Sequence, residues 1–279
     1  MKIFKLKEEL KSYLNSQEKD KIISFVPTMG ALHDGHLSLI LNAKQNSDLV
    51  ICSIFINPTQ FNNLKDLEKY PKTPNSDIKA LDNINCDVVY MPEFADLYQK
   101  NEKLKKYQFN GLDKFMEGRR RPGHFNGVAT VIEKLFRIIH PNKAYFGQKD
   151  LQQLQIIKYL TKQLNFETEI IGVSTKREES GLAMSSRNKR LSIKDSEKAT
   201  LIYKTLIFIK ENAYKHSIKE LKEICIQKFN DEPELNLEYL EIVSLENLHP
   251  IDLYNHNGHN AACIAASISS VRLIDNIIF

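Results

Sequence analysis

The clearest periodic signal along the chain is a β-branched and aromatic run, Lys21 to Val26, leading through a glycine-bearing loop into an apolar pattern at helical spacing. The run predicts a buried strand, and Pro27 is expected to end it because proline brings no N–H to a ladder. Leu37, Ile40, Leu41 and Ala43 then line one face of a helix beginning near Gly35. Upstream, residues 1–20 read as a short strand and an amphipathic helix. Downstream, Leu49 to Ile56 is a second buried strand, ending in the polar turn Asn57-Pro58-Thr59-Gln60-Phe61. Thr73 to Asp77 signals a helix start before Ile78, Ala80 and Leu81. Asp87 to Tyr90 makes a third strand, closed by Pro92. Val128 to Ile139 is a helix with Val128, Val131, Ile132, Leu135, Phe136 and Ile139 on one face. Lys143 to Phe146 is a strand, Gly147 a turn, Asp150 to Leu164 a helix and Thr168 to Val173 another strand.

Strands alternating with helices imply a parallel sheet built from right-handed βαβ units with helices on both faces, a Rossmann-like α/β architecture. After Val173 the pattern changes. A polar loop carries G-L-A-M-S-S-R-N, helices follow from about Asp195 to Ala213 and Ser217 to Phe229, and Leu237 to Val243 and Ala261 to Ser267 read as strands. The expected division is therefore a nucleotide-type domain over residues 1–174 and a smaller α+β domain, acting as a lid, over 175–279.

Composition narrows the function classes. Hydrophobic residues make up 42% and charged ones 27%, ordinary for a globular chain. A net charge of +4 suits a small anionic substrate and is too weak to argue for nucleic acid. Cys52, Cys86, Cys225 and Cys263 show no C-x-x-C, which disfavours disulfides and zinc and fits a reducing cytoplasm. No apolar run approaches the roughly 20 residues needed to span a bilayer, so a soluble protein with no membrane partner is expected.

The candidate chemistry sits between the first long strand and its helix. Gly30 and Gly35 allow a tight turn and close approach to the backbone, and His33 and His36 flank Gly35 as H-x-G-H. A helix starting there aims free N–H groups at the loop, a ready anion site with two imidazole donors beside it. The bland alternative is a pair of structural loop histidines.

P-T-M-G-A-L-H-D-G-H resembles the H-x-G-H signature of the nucleotidyltransferase superfamily, and M-S-S-R-N its second phosphate-contacting loop. F-I-N-P-T-Q-F, R-P-G-H-F-N-G-V-A-T-V, F-G-Q-K-D-L-Q-Q-L and R-E-E-S-G-L-A-M-S-S-R-N narrow the resemblance to the pantoate–β-alanine ligase (pantothenate synthetase) family. Y-L-E-I-V and R-L-I-D-N extend it more loosely into the last hundred residues. The resemblance implies that pantoate's carboxylate attacks the α-phosphorus of ATP, and that the amine of β-alanine then displaces AMP from the pantoyl adenylate. His33 and His36 would contact the triphosphate, His36 as proton donor. Met29 and Gly30 would form the backbone edge of the ATP site, continued by Ala31, Leu32, Asp34 and Gly35. Gln60 and Gln153, with Asn57, would bind pantoate or β-alanine through amides, which add no charge to compete with ATP. Gly147, Gln148, Lys149 and Asp150 would hold ribose and phosphate, with Lys149 the point charge. Met184, Ser185, Ser186 and Arg187 would form a mobile phosphate loop, with Arg187 a fork of donors.

Duller readings remain open: Asn57 and Gln60 as a turn cap, Lys149 and Asp150 as a solvated pair, Ser185 and Ser186 as a helix cap. Arg119 to Arg121 reads as a solvated or lid-forming loop and His124 as structural. His256 and His259 have a metal-like interval but little carboxylate company and are assigned no site. The sequence departs from the family pattern at Gln148, where glutamate is frequent, at Lys176, whose backbone is expected near adenine, and at Lys72 in place of arginine. Magnesium is expected on the phosphates, with Asp77 the one protein ligand suggested. The resemblance also suggests a homodimer. The competing functions are an adenylyltransferase acting on a phosphorylated acceptor and a nucleotide-binding module without turnover.

Overall fold

The computed structural model describes all residues except 101, 103, 104, 256 and 257. In chain order the elements are β1 (Lys2–Phe4), α1 (Lys7–Asn15), β2 (Ile23–Thr28), α2 (Asp34–Lys44), β3 (Leu49–Ile54), α3 (Leu64–Glu68), α4 (Pro74–Asn83), β4 (Val88–Tyr90) and α5 (Phe94–Leu97). They continue with α6 (Met116–Arg120), α7 (His124–Ile139), β5 (Lys143–Gly147), α8 (Leu151–Gln163), β6 (Glu169–Val173), α9 (Ile193–Asn212), α10 (Ile218–Asn230), β7 (Leu235–Ser244), β8 (Asn260–Ile268) and β9 (Val271–Ile278). Contacts divide the chain into two compact units: Met1–Phe109, Arg121–Gly147 and Gln153–Ser174 form the first, and Asn110–Arg120, Gln148–Gln152 and Thr175–Phe279 the second.

The first unit is a parallel sheet of order β1-β4-β3-β2-β5-β6, flanked by helices. A strand covered on both faces has no polar side to present, which is why β3 reads as the near-continuous apolar run L-V-I-C-S-I. Val26, Ile40, Ala43, Val50, Cys52, Leu81 and Val89 are fully buried in its core. From β2 the chain winds outward through β3 and β4, then returns to β2's other side for β5 and β6. The winding therefore reverses between β2 and β5, and ligands of such sheets bind outside the strand C-termini at that switch point.

Three sequence expectations change here. Pro27 does not end β2, which pairs with β3 through Thr28. The Phe55 N–H donates to Thr28 O at 3.0 Å, so the neighbouring Pro27 nitrogen points to the β5 side, where pairing stops at Phe25 and no donor is required. In α2 the inward face is Leu39, Ile40 and Ala43, while Leu41 is 46% exposed. Helix α7 starts at His124, before rather than after Gly127, with Gly123 as a left-handed N-cap.

The second unit packs α9 and α10 against the antiparallel sheet β7-β8-β9. Ile202, Leu206, Leu221, Cys225, Ile242 and Ile264 form its core. Both helices begin where a serine can cap them: Ser192 accepts from the Asp195 N–H, and Ser217 forms a capping box with Glu220. Strand β9 is not among the expected elements, since Arg272, Asp275 and Asn276 interrupt its apolar pattern.

Candidate active site

The end of β2 delivers Met29 and Gly30 into a loop with two successive left-handed residues, Gly30 at φ 77° and Ala31 at φ 50°. A non-glycine residue holds that conformation only where its surroundings over-determine it. Here Asp77, on the first turn of α4 and 2% exposed, accepts from the Ala31 N–H at 2.9 Å and the Leu32 N–H at 2.8 Å. Thr73 Oγ1 adds a third bond at 3.1 Å. A Cβ on Gly30 would lie 3.0 Å from Asp77 Oδ2 and 3.1 Å from Ile54 Cγ2, so the position is closed to side chains as well as left-handed.

The loop ends at His33, the N-cap of α2. Its Nδ1 accepts from the Gly35 N–H at 3.1 Å, and its carbonyl accepts from the His36 N–H at 2.8 Å. An accepting Nδ1 places the ring proton on Nε2, so His33 is a neutral donor through that atom. The His33 and His36 rings lie 4.1 Å apart, centroid to centroid, tilted by 35°. Two imidazoles thus flank the N-terminus of an eleven-residue helix, whose positive dipole end favours an anion.

At the end of β3, Pro58–Gln60 forms a 3₁₀ turn. Asn57, 1% exposed, donates to Gly127 O at 3.1 Å and Gln60 Oε1 at 3.3 Å, and accepts from Tyr98 Oη at 2.9 Å. Both amide hydrogens and the carbonyl are thereby committed to the turn, and what Asn57 presents is Gln60. Gln60 Nε2 lies 2.8 Å from Met29 Sδ, joining this turn to the β2 loop. His124 Nδ1 donates to Gln60 O at 2.8 Å, which leaves Nε2 to accept from Arg121 Nη1 at 3.1 Å. A Cβ on Gly127 would fall 2.2 Å from Thr59 O, so α7 lies directly against the turn.

In the second unit, Gln148–Asp150 forms a 3₁₀ turn in which Lys149 Nζ lies 3.4 Å from Asp150 Oδ1. A short hairpin pairs Arg177 with Ala183, and the Met184 N–H donates to Lys176 O at 3.0 Å. Ser185 then caps the 3₁₀ segment Ser186–Arg190 by accepting from the Arg187 N–H at 3.3 Å. The segment Asn110–Arg120 is held by Gln152, which accepts from the Glu117 N–H and donates to the Leu112 and Phe115 carbonyls. Arg272 grips Glu117 with two bonds of 2.8 and 2.7 Å and Glu238 with a third of 2.8 Å.

Residues 2–278 match the family model for pantoate-beta-alanine ligase. The chain belongs to the pantoate-beta-alanine ligase family. A curated relative, the pantothenate synthetase of Cytophaga hutchinsonii, is 45% identical over 274 residues, covering 97% of this chain and 96% of that protein. Among solved structures, pantothenate synthetase from Thermus thermophilus superposes with a TM-score of 0.93 at 35% identity, covering 99% of both chains. The pantoate-beta-alanine ligase of Francisella tularensis, complexed with beta-gamma ATP and beta-alanine, superposes with a TM-score of 0.83 at 38% identity, covering 100% of this chain and 97% of that one.

Within the first unit, the residues singled out from the family resemblance gather at the carboxyl ends of β2 and β3. Met29 to His36 and Asn57 to Gln60 share one hydrogen-bonded cluster through the Gln60–Met29 contact. Gly147 closes β5 at the switch point, and a Cβ there would meet no described atom within 4 Å, so packing does not explain the glycine. Gln153 lies on α8 and is half-buried. Among the second unit's candidates, Ser186 is 6% exposed, whereas the Lys176 side chain is exposed and its carbonyl belongs to the hairpin.

Asp77, the one protein ligand suggested for magnesium, is buried, and its carboxylate accepts from two backbone N–H groups and from Thr73 Oγ1, which ties it to the β2 loop. Among the described residues no group of three or more His, Cys, Asp or Glu is placed to hold a metal, and His256 lies outside them. Sequence reasoning missed Gly127 and Gln152 and left His124 without a target. The glycine spacing in G-H-F-N-G was the available signal, and it reads as a loop until α7 is seen to run through it.

Proposed function

We propose that the protein is an ATP-dependent ligase that joins pantoate to β-alanine through a pantoyl adenylate, releasing pyrophosphate and then AMP. The observation that carries this reading is the imidazole pair at the N-terminus of α2, in a chain whose whole length matches the ligase family. A carboxylate attacking the α-phosphorus needs no enzyme nucleophile; it needs alignment and charge stabilisation. His33, fixed as an Nε2–H donor, hydrogen-bonds the triphosphate, and His36, entering as the imidazolium, gives one proton to the departing pyrophosphate and leaves as the neutral imidazole. The backbone from Met29 to Gly35 forms the nucleotide edge, held in shape by Asp77.

Gln60 and Gln153 bind pantoate's oxygens, with Asn57 and His124 presenting Gln60. Lys149 and Arg187 neutralise phosphate charge, Ser185 and Ser186 donate hydroxyl hydrogen bonds, and Asp150 accepts from the ribose. In the second step the free amine of β-alanine attacks the acyl carbon, the C–O bond to AMP breaks, and the amine proton passes to solvent. Magnesium travels with ATP, bound to its phosphate oxygens. The nucleotide- and pantoate-binding domain is assigned to residues 1–174 and the smaller domain to 175–279, although Asn110–Arg120 and Gln148–Gln152 pack within the second compact unit. The protein works in the cytoplasm as a homodimer. Two facts support that compartment: all four cysteines are buried free thiols, and no helix among the described residues is long and apolar enough to cross a membrane.

The test is product analysis. With ATP, magnesium, pantoate and β-alanine the protein should form pantothenate, AMP and pyrophosphate in equal amounts. Formation of ADP and phosphate, or absence of the amide, overturns the reading. His36→Ala should keep ATP affinity within about tenfold, ~1.4 kcal/mol, while adenylate formation falls much further.

A further inference from the structure

Strand β9 carries two adjacent buried polar residues, Asp275 at 5% exposure and Asn276 at 3%. Buried polar groups require partners, and these two find theirs in different segments of the second unit. Asp275 holds Arg177 through a two-bond pair, Nη1 to Oδ2 at 2.6 Å and Nη2 to Oδ1 at 3.1 Å. Arg177 also donates to Gly181 O at 3.1 Å and stacks its guanidinium 3.9 Å from the centre of the Tyr203 ring. It therefore sits at the base of the hairpin that leads into Ser185, Ser186 and Arg187. From the 3₁₀ segment Asn188 Nδ2 donates back to Glu178 Oε1 at 2.7 Å and Ala183 O at 3.0 Å, so the hairpin and the 3₁₀ segment are tied into one piece.

Asn276 faces the other segment. Its Nδ2 donates to Gln148 O at 2.9 Å and to Lys149 O at 2.8 Å. Two carbonyl acceptors fix which end of the amide points where, since only the NH₂ group can serve both. They also fix the peptide planes on either side of Lys149, and with them the direction in which its side chain leaves the turn. The Asn276 N–H itself donates to Asp275 Oδ1 at 2.8 Å, so the two side chains are coupled at their root.

We propose that Asp275 and Asn276 are paired positioning residues, which set Lys149 and the Ser185–Arg187 segment from one strand so that both present their donors to the same triphosphate. This rests on the ligase reading for what the two segments bind. Neither residue touches the nucleotide; each acts through a backbone or side chain that does.

The experiment compares wild type with Asn276→Ala and Asn276→Asp, the latter matching in shape but offering oxygens to both carbonyls. Binding of α,β-methylene-ATP, KM for ATP, KM for pantoate, kcat and the urea midpoint are measured for each. Asn276→Ala should weaken α,β-methylene-ATP and raise KM for ATP about tenfold, with KM for pantoate within about twofold of wild type. Asn276→Asp should weaken the nucleotide further. On the other arm, Asp275→Asn should lower kcat; where it does not fold, the neutral pair Arg177→Gln with Asp275→Asn replaces it. Unchanged nucleotide affinity, or equal rises in both KM values tracking a lower urea midpoint, would show a merely structural role and overturn the proposal. A wild type that binds α,β-methylene-ATP but makes no amide defeats the ligase reading alone, because the affinity comparison still decides this one. A wild type that binds no nucleotide defeats both.

Discussion

Asp77→Asn separates an anchoring carboxylate from a metal-binding one. Asparagine keeps the shape of aspartate but replaces one acceptor oxygen with an NH₂ group. The Ala31 and Leu32 N–H groups, 2.9 and 2.8 Å from the two oxygens, cannot then both be satisfied. A buried N–H left facing a donor costs about 1–3 kcal/mol, and losing charge assistance at the surviving bond adds roughly another 1 kcal/mol. Against this stands the strain released at Ala31, whose left-handed φ of 50° is worth about 1–2 kcal/mol once the loop is free to change. The cheapest response is therefore local: the Gly30–Leu32 loop rearranges, and global stability falls by only about 1–2 kcal/mol. Equilibrium urea unfolding reads the second effect, and steady-state kinetics at saturating magnesium reads the first. KM for ATP should rise by about tenfold or more, with the magnesium requirement unchanged. An unaltered KM for ATP and urea midpoint, together with a raised magnesium requirement, would refute the anchor and restore Asp77 as a metal ligand.

Three other outcomes follow from the same geometry. Gly127→Ala drives a Cβ to within 2.2 Å of Thr59 O, so overpacking of about 1–3 kcal/mol should outweigh alanine's helix preference; the urea midpoint should fall and KM for pantoate rise as Gln60 is displaced. Glu133 is penalised by burial, but hydrogen bonds from Tyr107, Arg137 and Lys105 outweigh that and hold its carboxyl below the ordinary 4.5. Its contribution is then present above that pH and lost as acid titrates it, so Glu133→Gln should flatten the fall in stability below pH 4.5 seen by denaturation across an acid series. Burial pushes the Cys86 and Cys225 thiols up to about 11 and Cys263 to about 12, with Cys52 raised as well; iodoacetamide should label none of the four at neutral pH until the protein is unfolded, as mass spectrometry would show.

Which features were readable from sequence follows from where their causes lie. The strand–helix alternation of the first unit rests on local periodicity, and so β2, β3, α4, β5, α8 and β6 fall within a few residues of their expected positions. Pro27 misled because its effect depends on which neighbouring strand its nitrogen faces, a fact of topology. Strand β9 hid because Arg272, Asp275 and Asn276 look like surface residues until their partners Glu117, Arg177 and the Gln148–Lys149 carbonyls are known. In the site, H-x-G-H was legible since its glycine and histidines act over one turn of chain. Asp77's backbone partners lie more than forty residues away, so its carboxylate could be noticed in sequence but not interpreted.

The position of His33 limits what can replace it. Serine or aspartate would terminate α2 as well as an imidazole does, but neither extends a second N–H beyond the helix end. Lysine or arginine would supply donors and leave the Gly35 amide without an acceptor. Asparagine offers both functions on a stem too short to perform them in two places. A ring with an acceptor on one side and a donor on the other keeps the helix cap and a second polar atom on opposite edges of one rigid group, a combination that none of these replacements reproduces.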